Sequence, residues 1–189
     1  MTPPVKKAGR SKFEQALQVI ANGTSSVIDL SSSSLSDEDV RELCTALLPN
    51  TSVTYVSLNN DDIGPEAGQH IAALVASNST LQALDLNCNR LGDDGIQCLC
   101  QALSTNTTLR ELFLYDNGIT AAGDQHLLQA MKGNTTLTFL DLQHTASQND
   151  RDIQNEIQEV VRRNKQKEGS TEDGVACSTH LAQSDSPRR

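Results

Sequence analysis

The stretch Leu81-Gln82-Ala83-Leu84-Asp85-Leu86-Asn87-Cys88-Asn89-Arg90-Leu91-Gly92-Asp93-Asp94-Gly95 changes period partway along. Leu84 and Leu86 alternate with polar or small neighbours, as on a strand with one buried face. Beyond Gly95, the residues Ile96, Leu99 and Leu103 follow helical spacing. A strand therefore leads through an Asn- and Gly-bearing turn into an amphipathic helix.

The block recurs. Asn22-Gly-Thr, Asn50-Thr-Ser, Asn78-Ser-Thr, Asn106-Thr-Thr and Asn134-Thr-Thr stand 28 residues apart. A unit begins three residues after each Asn, giving 25–52, 53–80, 81–108, 109–136 and 137–164. The fourth keeps Leu109, Leu112, Leu114, Asn117, Ile119, Gly123, Leu127 and Met131, and the second keeps Val53, Val56, Leu58, Asp61, Ile63, Ile71 and Val75. The first starts with a polar Ser25 but retains Ile28, Leu30, Val40, Leu43 and Leu47. The fifth has Thr145 where the third and fourth have Asn89 and Asn117, and a two-residue insertion brings Ile157, Val161 and Asn164 into register. One such unit cannot bury its own leucines, whereas stacked neighbours can, so the repeats form a solenoid. Strands stack about 4.8 Å apart and helices about 8–10 Å. The helices must take the outer arc and the strands the inner one.

The period and the block L-x-x-L-x-L-x-x-N-x-L-G-D-x-G resemble the leucine-rich repeat of the ribonuclease-inhibitor type, over residues 25–164. The resemblance implies an α/β solenoid, a partial horseshoe with parallel strands on its concave face and helices on its convex face. It also implies a ladder of buried side-chain caps at Asn89 and Asn117, with Asp61 as a substitute and Ser33 and Thr145 as weaker rungs. Exposed solenoid ends need covers. Residues 11–24 supply one as a helix with Phe13, Ala16, Leu17 and Ile20 on one face, and Asp150 to Arg163 supply the other. Residues 1–10 and 165–189 are polar and are expected to be disordered.

The 189 residues carry a net charge of −9. Residues 25–164 hold seven basic and nineteen acidic residues, so the acidity belongs to the repeats. Nucleic acid and anionic membranes are disfavoured as partners, and there is no apolar run long enough for a membrane span. The N-terminus does not read as a signal peptide. Five scattered cysteines fit a reducing compartment, the cytoplasm with the nucleus as alternative. A monomer is expected.

Catalytic motifs are missing from the sequence, so neither an enzyme nor a cofactor is expected. His70, Cys98 and His126 share one helix position in successive repeats. Axes about 8–10 Å apart do not converge three ligands on one ion, so no metal is expected. The Asn-x-Ser/Thr triplets keep the structural period, and turn chemistry accounts for them better than glycosylation.

Function is sought on the inner face. Residues between the strand leucines point away from the core. They are Val27, Asp29, Ser31, Tyr55, Ser57, Asn59, Ala83, Asp85, Asn87, Glu111, Phe113, Tyr115, Phe139, Asp141 and Gln143. Four of the chain's five aromatics fall in this set. Aromatics dominate interface anchors, and acids stand beside them. Tyr55, Asp85, Glu111, Phe113, Tyr115, Phe139 and Asp141 are therefore the candidate partner-binding residues, for a protein with basic and apolar features. The expected role is a small adaptor, scaffold or inhibitor. The lead helix, five repeats and closing helix are also similar to the C-terminal domain of tropomodulins and leiomodins, which makes actin an alternative partner and pointed-end regulation an alternative role. Ran GTPase activators use similar repeats in roughly twice the number, so small-GTPase regulation is a further alternative.

Overall fold

The computed structural model describes residues 5–142 and 151–169, with side chains described for 11–142 and 152–168. Helix α1 (Val5–Asn22) leads into five strand–helix pairs: β1 (Val27–Asp29) and α2 (Asp37–Leu47), β2 (Tyr55–Ser57) and α3 (Pro65–Ser77), β3 (Ala83–Asp85) and α4 (Gly92–Leu103), β4 (Glu111–Phe113) and α5 (Ala121–Gly133), β5 (Phe139–Asp141) and α6 (Arg151–Gly169). The strands form one parallel sheet in chain order. Every pairing keeps the repeat offset, as in Val27 with Tyr55, Tyr55 with Ala83, Ala83 with Glu111 and Glu111 with Phe139. The fold is the α/β leucine-rich repeat solenoid that the sequence pattern implies.

The core lies between sheet and helices. Leu30, Val40, Leu43, Leu86, Leu91, Ile96, Leu99, Leu103, Leu112, Leu114, Ile119, Leu127 and Leu137 are fully buried in it. The first four repeats each leave their strand through a residue in the left-handed region: Ser32, Asn60, Cys88 and Asp116 have φ of 56°, 58°, 55° and 52°. Asn and Asp tolerate that conformation best. Helices α3 and α4 approach closely where Gly68 faces Gly95. A Cβ on Gly68 would lie 3.4 Å from the Gly95 Cα and 3.0 Å from Leu91 Cδ2.

Two asparagine ladders tie the repeats together. On the strand side, Asn89 Nδ2 donates to the carbonyls of Leu58 (2.8 Å) and Leu86 (2.9 Å), while its Oδ1 accepts from Asp61 N (3.1 Å) and Ile63 N (2.9 Å). Asn117 Nδ2 donates to Leu86 O at 2.8 Å. Asp61 occupies a rung, accepting from Ser33 N at 2.6 Å. On the helix side, Asn50, Asn78, Asn106 and Asn134 reach back to the carbonyls of Ile20, Leu47, Val75 and Leu103 at 2.7–2.9 Å. The Oδ1 of Asn78 accepts from Thr80 N and Leu81 N, both at 2.8 Å. These are the Asn-x-Ser/Thr asparagines, and Asn78 and Asn134 are buried.

Both end helices are longer than their sequences imply. Residues 5–10, expected to be disordered, are helical, and α6 continues past Arg163 to Gly169. Lys, Ala, Arg and Gln are good helix formers, so a helix anchored by its packed part can run on beyond it. Phe13, Ala16, Ile20, Ile157, Val161 and Asn164 are buried, and Ile153 and Val160 pack against the core. Residues 1–4 and 170–189, expected to be disordered, lie outside the described residues, as do Gln143 and Thr145.

Candidate functional site

The concave face is built by the pairing of the strands. One row across the sheet runs Val27, Tyr55, Ala83, Glu111, Phe139, and the next runs Asp29, Ser57, Asp85, Phe113, Asp141. Tyr115 continues the Phe113 side two residues further on, and its N–H donates to Asn87 Oδ1 at 2.8 Å. All seven candidate residues therefore share one face.

The structure brings two of them into direct ring contact. The Phe113 and Phe139 centroids lie 5.0 Å apart with planes inclined at 41°. This is within the range of favourable tilted aromatic pairs. Phe139 is 44% exposed, on the last strand, and Val27 is 48% exposed, on the first. Between them the face is filled in: Ser57 and Ala83 are buried although alternation points them outward. Ser57 lies between larger neighbours, with its Oγ 2.8 Å from Ser31 Oγ and 3.3 Å from Asp85 Oδ2. Small side chains on a concave sheet are covered by larger ones beside them, which alternation alone does not reveal.

The face is negative. Lys12 from α1 reaches over its first-repeat edge, 3.6 Å from Asp29 and donating to Ser31 O at 3.1 Å. Among the described residues, no basic side chain pairs with Asp85 or Glu111. The Tyr55 hydroxyl registers the field. Burial raises its pKa, and the charges of Asp85, Asp29 and Glu111 raise it further against a Ser57 hydrogen bond that lowers it.

Other groups are placed for structure. At the turn rim, burial and the nearby Asp116 and Asp85 carboxylates raise the Cys88 thiol, which suppresses the thiolate. Burial pushes Cys44 and Cys100 up to about 12. Among the described residues, no group of three or more His, Cys, Asp or Glu side chains is placed to hold a metal ion, and no helix is long and apolar enough to cross a membrane.

A family model described as Leucine Rich repeat matches residues 77–100. No curated protein matches the chain. Among solved structures, the chain is similar to "Leiomodin-1 Actin-Binding Site 2 (ABS2)", with a TM-score of 0.77 and 24% identity, covering 84% of this chain and 92% of that one. It is also similar to a Caenorhabditis elegans tropomodulin C-terminal domain, with a TM-score of 0.73 and 15% identity, covering 84% of this chain and 96% of that one. At such identities the likeness is one of fold.

Proposed function

We propose that this leucine-rich repeat protein of the ribonuclease-inhibitor type is a non-enzymatic interaction module, an adaptor, scaffold or inhibitor that holds a protein partner on its concave face. One observation carries the reading. The Phe113–Phe139 pair stands on the last two strands of a face whose central rows are lined largely by small, polar and acidic groups, with Phe139 44% exposed. Aliphatic side chains fill the core of the repeats, and Phe113 and Phe139 stand outside it. Large aromatics at low entropy cost are what binding hot spots use. The acids around them favour a partner with basic as well as apolar groups.

The reading is tested by capturing partners from native lysate across a salt series. A partner held by the acidic face is retained at about 0.05 M salt and released towards about 0.5 M, because exposed charges are screened over a few ångströms at high salt. Retention unchanged by salt contradicts the acidic part of the reading.

A second reading makes the partner actin and the protein a pointed-end regulator. It is supported by the likeness of nearly the whole leiomodin-1 actin-binding module to this chain, which is a fold-level analogy. Co-sedimentation with filamentous actin and a pointed-end elongation assay decide it. Failure in both removes actin and leaves the interaction module standing.

A further inference from the structure

We infer that the residue this face recognises in its partner is an arginine, its guanidinium lying against the Phe113–Phe139 ring pair and its N–H groups meeting the carboxylates of Glu111 and Asp85. The inference rests on the concave-face reading above and names the chemistry of its guest. The register puts Glu111 beside Phe139 in one row, and Asp85 and Asp141 on either side of Phe113 in the next. An aromatic pair with one exposed and one half-buried ring is thus bordered by carboxylates on the strands either side of Phe113.

The choice of guest follows from what each alternative leaves unpaired. A purely apolar side chain seated on Phe139 would cover Glu111, which has no basic partner among the described residues. Burying an unpaired carboxylate is costly. A cation over the rings meets the negative π-face and the carboxylates together. Arginine suits this better than lysine. Its guanidinium is planar, more weakly hydrated, and able to stack while its edge N–H groups reach carboxylates, whereas an ammonium is a compact, strongly hydrated point charge. The charge is complementary too: Asp85, Asp29 and Glu111 act together at the Tyr55 hydroxyl, and Lys12 stands at the far edge, on Asp29.

The chain offers its own reporter. It has no tryptophan and two tyrosines, Tyr55 and Tyr115, both on this face. The full chain is titrated with the peptide acetyl-Gly-Arg-Leu-Gly-Arg-Leu-Gly-Arg-Leu-amide and with its lysine and citrulline counterparts. Tyrosine emission and the NMR signals of the Phe113 and Phe139 rings are followed. The expected result is saturable movement of both ring signals by the arginine peptide, about threefold or more tighter than the lysine peptide, with citrulline inactive. Phe139→Leu and, separately, the surface change Glu111→Gln each weaken it about three- to tenfold. Glu111→Gln lies outside the core, so it keeps the test decisive if the phenylalanine variant folds poorly.

Equal binding of the lysine peptide overturns the arginine inference and leaves an acidic docking face. Arginine-peptide binding that neither variant weakens places the contact elsewhere and also overturns it. If no peptide moves the rings, the inference fails. In that case the concave-face reading survives only if a captured partner is still lost when both phenylalanines are replaced.

Discussion

Asp93, at the start of α4, caps the next helix in the chain through Gly123. Its Oδ1 accepts from Gly123 N at 3.1 Å and from Thr120 N at 2.8 Å, and its Oδ2 from the Thr120 hydroxyl at 2.5 Å. The sequence places this carboxylate at the N-terminus of its own helix, where the dipole alone would favour it. The structure gives it the orphan N–H groups of α5, so it also fixes the stacking of one repeat on the next.

Gly123→Ala is expected to destabilise the protein by about 1–3 kcal/mol. A Cβ there would lie 2.5 Å from Asp93 Oδ1 and 2.6 Å from Ile119 Cγ2. Urea unfolding of the single variant, of Asp93→Ala and of the double variant checks it. The two effects should be less than additive, since either change breaks the same cap.

The cap has a pH signature. Burial raises the Asp93 pKa, but hydrogen bonds from Thr120 and Gly123 outweigh it and leave the value lowered. A carboxyl depressed in the folded state stabilises above its unfolded pKa, and the contribution is lost as pH falls through the folded one. The stability difference between wild type and Asp93→Asn should therefore shrink on acidification below the ordinary aspartate range. Denaturant midpoints at several pH values measure this.

Asp61 behaves oppositely. It is 1% exposed on a rung where Asn89, one repeat later, donates to carbonyls. Burial raises its pKa despite the N–H groups of Ser33, Ser34 and Leu35. The folded state then holds the proton more tightly than the unfolded one, so wild-type stability at this site falls as pH rises from the ordinary value through the raised one. Asp61→Asn restores donors to the rung and should stabilise by about 1–2 kcal/mol at neutral pH. The gain should narrow towards acid in the same unfolding series.

Asn78→Ala should cost about 1–3 kcal/mol. It removes the bonds to Leu47 O, Thr80 N and Leu81 N at the close of α3. Thermal unfolding measures it. Because this side chain is buried in its own turn, the Asn-x-Ser/Thr sequence there is a structural cap.

Much of the fold was legible because its rule is repeated. Leu84, Leu86, Ile96, Leu99 and Leu103 define one unit, and the same spacing recurs until chance is excluded. Phe113 and Phe139 were legible as outward-facing for the same reason. Other features depend on distances between repeats, which no single period encodes. Asp93 reaching Gly123, Lys12 reaching Asp29, and the covering of Ser57 by its neighbours all follow from how tightly units stack. The start of α1 is not legible because residues 5–10 lack an apolar stripe, and helical propensity carries that segment without one.

The most direct test of the concave face is affinity capture from native lysate, with wild type beside a Phe113→Ala/Tyr115→Ala/Phe139→Ala variant shown by circular dichroism to be folded. Binding through this face predicts a partner retained by wild type and lost by the folded variant. Capture of the same partners by both would contradict it and turn attention to the convex helices and the end caps.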